Sequence, residues 1–259
     1  ILWGHMSIWG KILGASIGFA FGGPLGALVG AATGHYIGRF RADAVAAERI
    51  DEGFRSGTQQ NDYRQISFAV SVVVLAAKLA KADGTVTRTE IEAFKKVFHI
   101  PEHEIKDVGK IFDEAKESSE GFEPYAYQVA QMFKNNPPVL EELLNALFYV
   151  AKSDNVIHAA ELKYLQAVAK ILGLKQSNFD RIHSIHSQKP LSDPYSILGV
   201  SRDMPDKELK ARHRNLVLKH HPDKLIAEGM PVEFVEQAND KLACINAAYD
   251  EICMERRLN

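Results

Sequence analysis

The chain has 259 residues, 46% of them hydrophobic, and a formal net charge of −2. That length accommodates one large or two small domains plus a tail, and the near-neutral charge argues against a generally basic nucleic-acid binder. The two cysteines, Cys244 and Cys253, fall on opposite sides of a helix and cannot pair within one chain, which points to a reducing compartment.

Ile1 to His5 read as a non-native addition before Met6-Ser7. Residues 7–38 then form a glycine-rich apolar segment. Between Lys11 and Arg39 one side chain titrates near neutrality, His35, which reads as an interfacial group rather than a ligand. An uncharged run of about 27 residues is ~40 Å long as a helix and crosses a ~30 Å hydrocarbon core with tilt. Trp9 near one end and Tyr36 and Phe40 near the other fit an aromatic belt. Lys11 precedes the segment, and Arg39, Arg41 and Arg49 follow it, so the charge bias opposes a signal peptide and puts the C-terminal side in the cytoplasm. A re-entrant hairpin turning at Gly22-Gly23-Pro24 would have arms of ~20 Å, too short to cross, so a single span is favoured. Glycine recurs every fourth residue at Gly10, Gly14, Gly18, Gly22, Gly26, Gly30, Gly34 and Gly38. Small residues at that spacing let helices approach closely in lipid, which predicts a homodimer or higher oligomer through this segment.

Residues 39–61 mix charges and end in Ser-Gly-Thr-Gln-Gln-Asn, which reads as a linker, helical at first and loose at its end. Residues 62–187 show helical periodicity. The β-branched run Val70–Leu75 continues into Ala-Ala-Lys-Leu-Ala-Lys, too long for an ordinary strand, so it too is helical. Two stretches resemble each other: Ala80-Lys81-Ala82-Asp83 leading to Glu90, and Ala151-Lys152-Ser153-Asp154 leading to Glu161. Each reads as an apolar helix, a turn and a second helix, an internal duplication. Thr87 and Glu90 form a capping box. Neither turn supplies the oxygen ligands of a calcium loop, so helix capping is the better reading and no metal or other cofactor is expected. The pattern over residues 62–187 resembles the TerB-like domain, which speaks to fold more than to function.

Residues 193–259 follow the break at Lys189-Pro190 and Asp193-Pro194. A short helix is stopped by Gly199. A longer one opens near Pro205, with Asp206 and Glu208 at its positive end. Leu209, His213, Leu216 and His220 form one stripe, and Lys207, Lys210 and Arg214 another. Pro222 ends the helix at His220 or His221, and Lys224–Pro231 reads as a loop. The last helix runs from about Glu233 to Arg256 with a core stripe of Phe234, Ala238, Leu242, Ile245, Tyr249 and Ile252. The predicted fold is therefore all-α: an N-terminal transmembrane helix, a central bundle and a C-terminal helical hairpin.

Pro194-Tyr195-Ser196-Ile197-Leu198-Gly199-Val200, the basic second helix, His221-Pro222-Asp223-Lys224 and Ile245-Asn246-Ala247-Ala248-Tyr249 together resemble the J-domain family. With its apolar N-terminus and TerB-like middle, the chain is similar to membrane-anchored J-domain co-chaperones of the bacterial inner membrane. The family pattern departs at His213 and His220, where aromatic residues are usual and a titratable ring stands instead. The resemblance implies a DnaK-type chaperone as partner. Lys207, Lys210, Arg212 and Arg214 would steer an acidic surface of it. His221, Pro222, Asp223 and Lys224 would then engage it and favour its hydrolysis-competent state. No Ser-His-Asp, Cys-His or HExxH arrangement suggests that the chain is itself an enzyme. The alternative is an oligomeric membrane scaffold or stress sensor acting through the TerB-like domain.

Overall fold

The computed structural model describes residues 7–14, 23–25, 57–82, 91–92, 94–95, 98–117, 121–152, 156–187 and 193–258. Among the described residues every regular element is helical. The capping box Thr87–Glu90, Asp83, Asp154, His35 and six glycines of the four-residue repeat, Gly18, Gly22, Gly26, Gly30, Gly34 and Gly38, lie outside them.

The centre of the molecule is α2 (Gly57–Ala82), flanked by α1 (Ile8–Gly14), α3 (Glu102–Glu117), α4 (Glu123–Met132), α5 (Pro137–Ala151) and α6 (Ala159–Ile171). Every residue of α2 from Ile66 to Ala80 is buried, as expected of a helix apolar on all sides. Its stretch Asn61–Lys81 is long and apolar enough to cross a membrane, yet that stretch is mostly buried among the other helices. Two serines tolerate the core because Ser67 and Ser71 donate to the carbonyls of Tyr63 and Ser67, at 2.6 and 2.5 Å. The β-branched run is thus helical, as its length predicts. The helix already begins at Gly57, inside the stretch read as loose linker.

The neighbours obey ordinary end rules. Helix α3 has Glu102 and Glu104 in its first turn and Lys116 in its last, and buries Val108, Ile111 and Ala115. Prolines open α4 and α5 where no N–H is needed. At the start of α6 the His158 N–H donates to the Glu161 carboxylate at 2.8 Å, the capping role expected of the second repeat. Helix α7 (Gln176–His186) packs on α5 and leads to the C-terminal unit.

Helix α1 departs from the sequence reading. Trp9, taken as one end of an aromatic belt, is fully buried against the bundle, and its indole N–H donates to the Phe98 carbonyl at 3.2 Å. Lys11 pairs with Asp62 at 2.9 Å. An indole that finds a carbonyl and a ring to pack on has less need of a membrane interface.

The C-terminal unit comprises α8 (Pro194–Leu198), α9 (Asp206–Lys219), α10 (Pro222–Ala227), a 3-10 turn (Val232–Phe234) and α11 (Val235–Arg256). Gly199 stops α8 in the left-handed conformation, φ 63°. Tyr195, Leu198, Leu209, Leu216, Ile245 and Ile252 form a small core of their own. Arg256 closes its far end, donating to Tyr195 Oη, Asp206 and the carbonyls of Met204 and Arg202. His213 keeps the packing of an aromatic ring: it stacks on Tyr249 with centroids 4.0 Å apart.

Two expectations fail here. Lys224–Pro231 is not simply a loop, because Pro222 starts the helical turn α10 with His221 as its cap. Phe234 and Ala238, assigned by periodicity to the hairpin's core, belong with Leu225 and Met230 to the core of the central bundle. Phe234 lies 5.0 Å from the rings of both Phe68 and Phe98, and 6.0 Å from Trp9. Leu242 is only half-buried.

Candidate functional site

The turn between α9 and α10 follows from three residues. His220 ends α9. His221 is extended, φ −63° and ψ 128°, as the residue before a proline should be. Pro222 supplies the first position of α10. The His221 ring closes the turn: its Nδ1 accepts the Asp223 backbone N–H at 3.3 Å. A neutral ring in that role carries its proton on Nε2, which leaves Nε2 as the donor a partner could use. The His221 and Asp223 side chains are 51% and 89% exposed. Pro222 is buried, and Lys224 is exposed with Glu228 at 3.9 Å.

Lys207, Lys210 and Arg214 stand on one exposed face of α9, spaced by three and four residues. Arg212 is different. It is half-buried, and its Nε donates to the Leu198 carbonyl at 3.0 Å, tying α8 to α9. Burial, with the nearby Arg181 charge, pushes its pKa down. Among the eight glycines, Gly10 is buried in α1 and Gly14 ends that helix.

Directly behind the exposed turn lies a buried charge cluster that sequence reasoning missed. Glu141 and Glu142 come from α5, Arg181 from α7, His220 from the end of α9 and Lys241 from α11. Lys241 Nζ donates to Glu142 Oε1 at 2.5 Å. His220 faces both carboxylates, Nδ1 3.0 Å from Glu142 and Nε2 3.3 Å from Glu141. Arg181 and Asn178 also donate to Glu141. Asn145 extends the network from Glu142 to His186. Burial would raise the Glu141 carboxyl, but His220, Arg181 and Lys241 hold it well below the carboxylate range. In Glu142, too, burial is outweighed, here chiefly by Lys241 and then His220. Burial pushes Lys241 down against the pull of Glu142. His186 is pushed down to about 3, mainly by burial and then by Lys152 and Lys241. One signal in the sequence could have found the cluster: Glu141-Glu142 interrupts the otherwise apolar run Val139–Leu144.

Three family models match the chain. Residues 6–49 match the co-chaperone DjlA transmembrane domain, residues 69–184 the tellurite resistance protein TerB, and residues 193–257 the DnaJ domain. Among curated proteins, the co-chaperone protein DjlA of Photobacterium profundum is 30% identical over 96% of this chain and 99% of its own length. That of Vibrio cholerae is 30% identical over 97% and 99%, and that of Coxiella burnetii 26% over 94% and 96%. No solved structure matches the chain.

Proposed function

The chain belongs to the DjlA co-chaperone family, and from that premise we propose that it stimulates ATP hydrolysis by a DnaK-type chaperone through His221-Pro222-Asp223, at the cytoplasmic face of a membrane. The observation that carries this reading is the turn itself. His221 is used once as a backbone cap, while the His221 and Asp223 side chains stand exposed just past the C-terminal end of the helix that carries Lys207, Lys210 and Arg214. Pro222 and the cap fix the spacing of two directional polar groups. The basic face raises the encounter rate with an acidic surface and makes it sensitive to salt. Tighter binding to the hydrolysis-competent state then shifts the partner toward that state. No bond is made or broken on this chain.

The N-terminal segment is the membrane anchor in this reading. In the structure Leu25, midway along the apolar run, is buried in the bundle core with its N–H on Gln128 Oε1 at 2.9 Å, so a span of the whole run after Gly14, ~36 Å as a helix, requires Leu25 to leave that seat. Arg39, Arg41 and Arg49 favour a single span with the folded domains in the cytoplasm. Gly18, Gly22, Gly26, Gly30, Gly34 and Gly38 remain to pack helices of two or more copies together.

The test is single-turnover ATP hydrolysis by a DnaK-type chaperone mixed with the full chain in lipid nanodiscs. The chain accelerates hydrolysis, and His221→Gln and Asp223→Asn each remove the acceleration. Charge reversal at Lys207, Lys210 and Arg214 raises the concentration needed for half-maximal effect and flattens its salt dependence. An unaltered hydrolysis rate with the intact chain overturns the proposal.

A further inference from the structure

The exposed turn is five residues long, His220 to Lys224, if its buried anchor is counted. Both of its flanks are held by the central bundle. On one side His220 sits between Glu141 and Glu142. On the other, Leu225 and Met230 are fully buried in the bundle's core. The backbone after the turn is fixed as well: Asn136 donates to the Glu228 carbonyl at 3.2 Å, and Gln65 to the Met230 carbonyl at 3.5 Å.

Gly229 shows how close this approach is. Its φ is +111°, and a Cβ there would lie 2.7 Å from Arg64 Cβ and 3.3 Å from a Phe133 ring carbon. Arg64 Cβ sits next to the α2 backbone and cannot swing aside as a side-chain tip could. Only glycine fits, for both conformation and space. A hairpin that merely rested on the bundle would need neither this contact nor a buried ionic seat for the residue before its functional turn.

The physical character of the two anchors differs. The apolar anchor supplies the burial that holds the segments together. The ionic anchor adds little net stability, because desolvation offsets much of the attraction between buried charges, but it penalises any other register. Among the described residues, two Arg181 nitrogens, Nε and Nη1, are buried without a hydrogen-bond partner, which makes that side the costlier one.

We propose that the TerB-like bundle is part of the partner-engaging site: it clamps both flanks of the His221-Pro222-Asp223 turn, and Glu142 and Gly229 are positioning residues that fix how the turn is presented. This rests on the function proposed above and adds to it that the C-terminal unit does not present the turn alone. The clamp leaves His221 and Asp223 exposed, so it holds the turn open to a partner.

The experiment uses the full chain in nanodiscs, with two readouts. Hydrogen exchange at the amides of residues 221–230 reports the clamp without any partner. Single-turnover hydrolysis by the DnaK-type chaperone, titrated to saturation, separates maximal stimulation from half-saturating concentration. Glu142→Gln and Gly229→Ala act on opposite flanks. Each speeds exchange in the turn and lowers maximal stimulation about tenfold, while the half-saturating concentration moves less than about twofold because the basic face of α9 is untouched. A variant that loses its far-ultraviolet helicity is replaced by the milder Gln65→Ala or Asn136→Ala, for which the same pattern holds at smaller size. Exchange in the unaltered chain as fast as in the variants overturns the clamp. Faster exchange with full or increased stimulation overturns the positioning role, an increase meaning that the bundle restrains the turn. Failure of the unaltered chain to stimulate overturns the function proposed above and with it the use of the clamp, whereas exchange protection still reports whether the clamp exists.

Discussion

The two ends of the C-terminal hairpin are built on different principles. At the far end, Tyr195, Leu198, Leu209 and Ile252 face one another, and Arg256 seals the edge with hydrogen bonds in reach of water. At the turn end, Leu225, Met230 and Phe234 enter another domain's core, and charge is buried between His220, Lys241 and two glutamates. The first end has a core separate from the bundle's, with Ile185 of α7 packed on its edge. The second is shared, and it is the one that carries the candidate site. A functional turn gains precision when rigid elements on both sides hold it, at the cost of depending on residues far away in sequence.

The largest effect that would break this comparison belongs to Phe234, whose ring lies among Phe68, Phe98 and Trp9. Phe234→Ala should cost about 3–5 kcal/mol. Denaturant unfolding followed by circular dichroism should show the loss in the bundle, whereas an autonomous hairpin would leave the bundle's transition in place. Next comes Glu142→Gln, which strands Lys241 as a buried cation and should cost roughly 3 kcal/mol. Combining it with Lys241→Met should recover most of that loss, because both charges are then gone.

Acid should weaken the shared end first. The folded-state pKa of His186 lies near 3 against 6.5 for the unfolded chain, so the unfolded state takes up more protons between those values. Stability is complete above 6.5 and falls as the pH drops through that window, by about 1–2 kcal/mol at pH 5.5. Glu141 and Glu142, also held below their ordinary value of 4.5, add to the loss at lower pH. Thermal melts from pH 7 to pH 4 read this slope, and His186→Phe should flatten its upper part. The smallest effect sharpens the contrast: His213→Ala, beside the separate core, removes a ring stacked on Tyr249 and should cost about 1 kcal/mol.

Local signals read well in the sequence. The apolar run of α2, the stop at Gly199 and the acidic start of α9 each depend on neighbours within a turn or two. The break that ends α9 before Pro222 is equally local. What could not be read depends on long-range pairing. Lys241 meets Glu142 across 99 residues, and nothing in either segment names the other. Phe234 has the right spacing for the hairpin's stripe, yet periodicity gives a face and not the surface that face meets. Helix α10 was missed because six residues bounded by Pro222 and Gly229 are too short to show a period. Trp9 misled because an aromatic ring near an apolar run suits a lipid interface and a protein core equally.

The depth at which Phe234, Met230 and Leu225 are seated sets a limit on modular use of the tail. Cut free at residue 193, or transplanted onto a different anchor, the fragment would carry three large apolar side chains that had been dry and now meet water next to its basic helix. Such a patch invites self-association and sticking to unrelated proteins. A preparation of the tail alone would have to be checked for aggregation before its potency as an activator was compared with that of the whole chain.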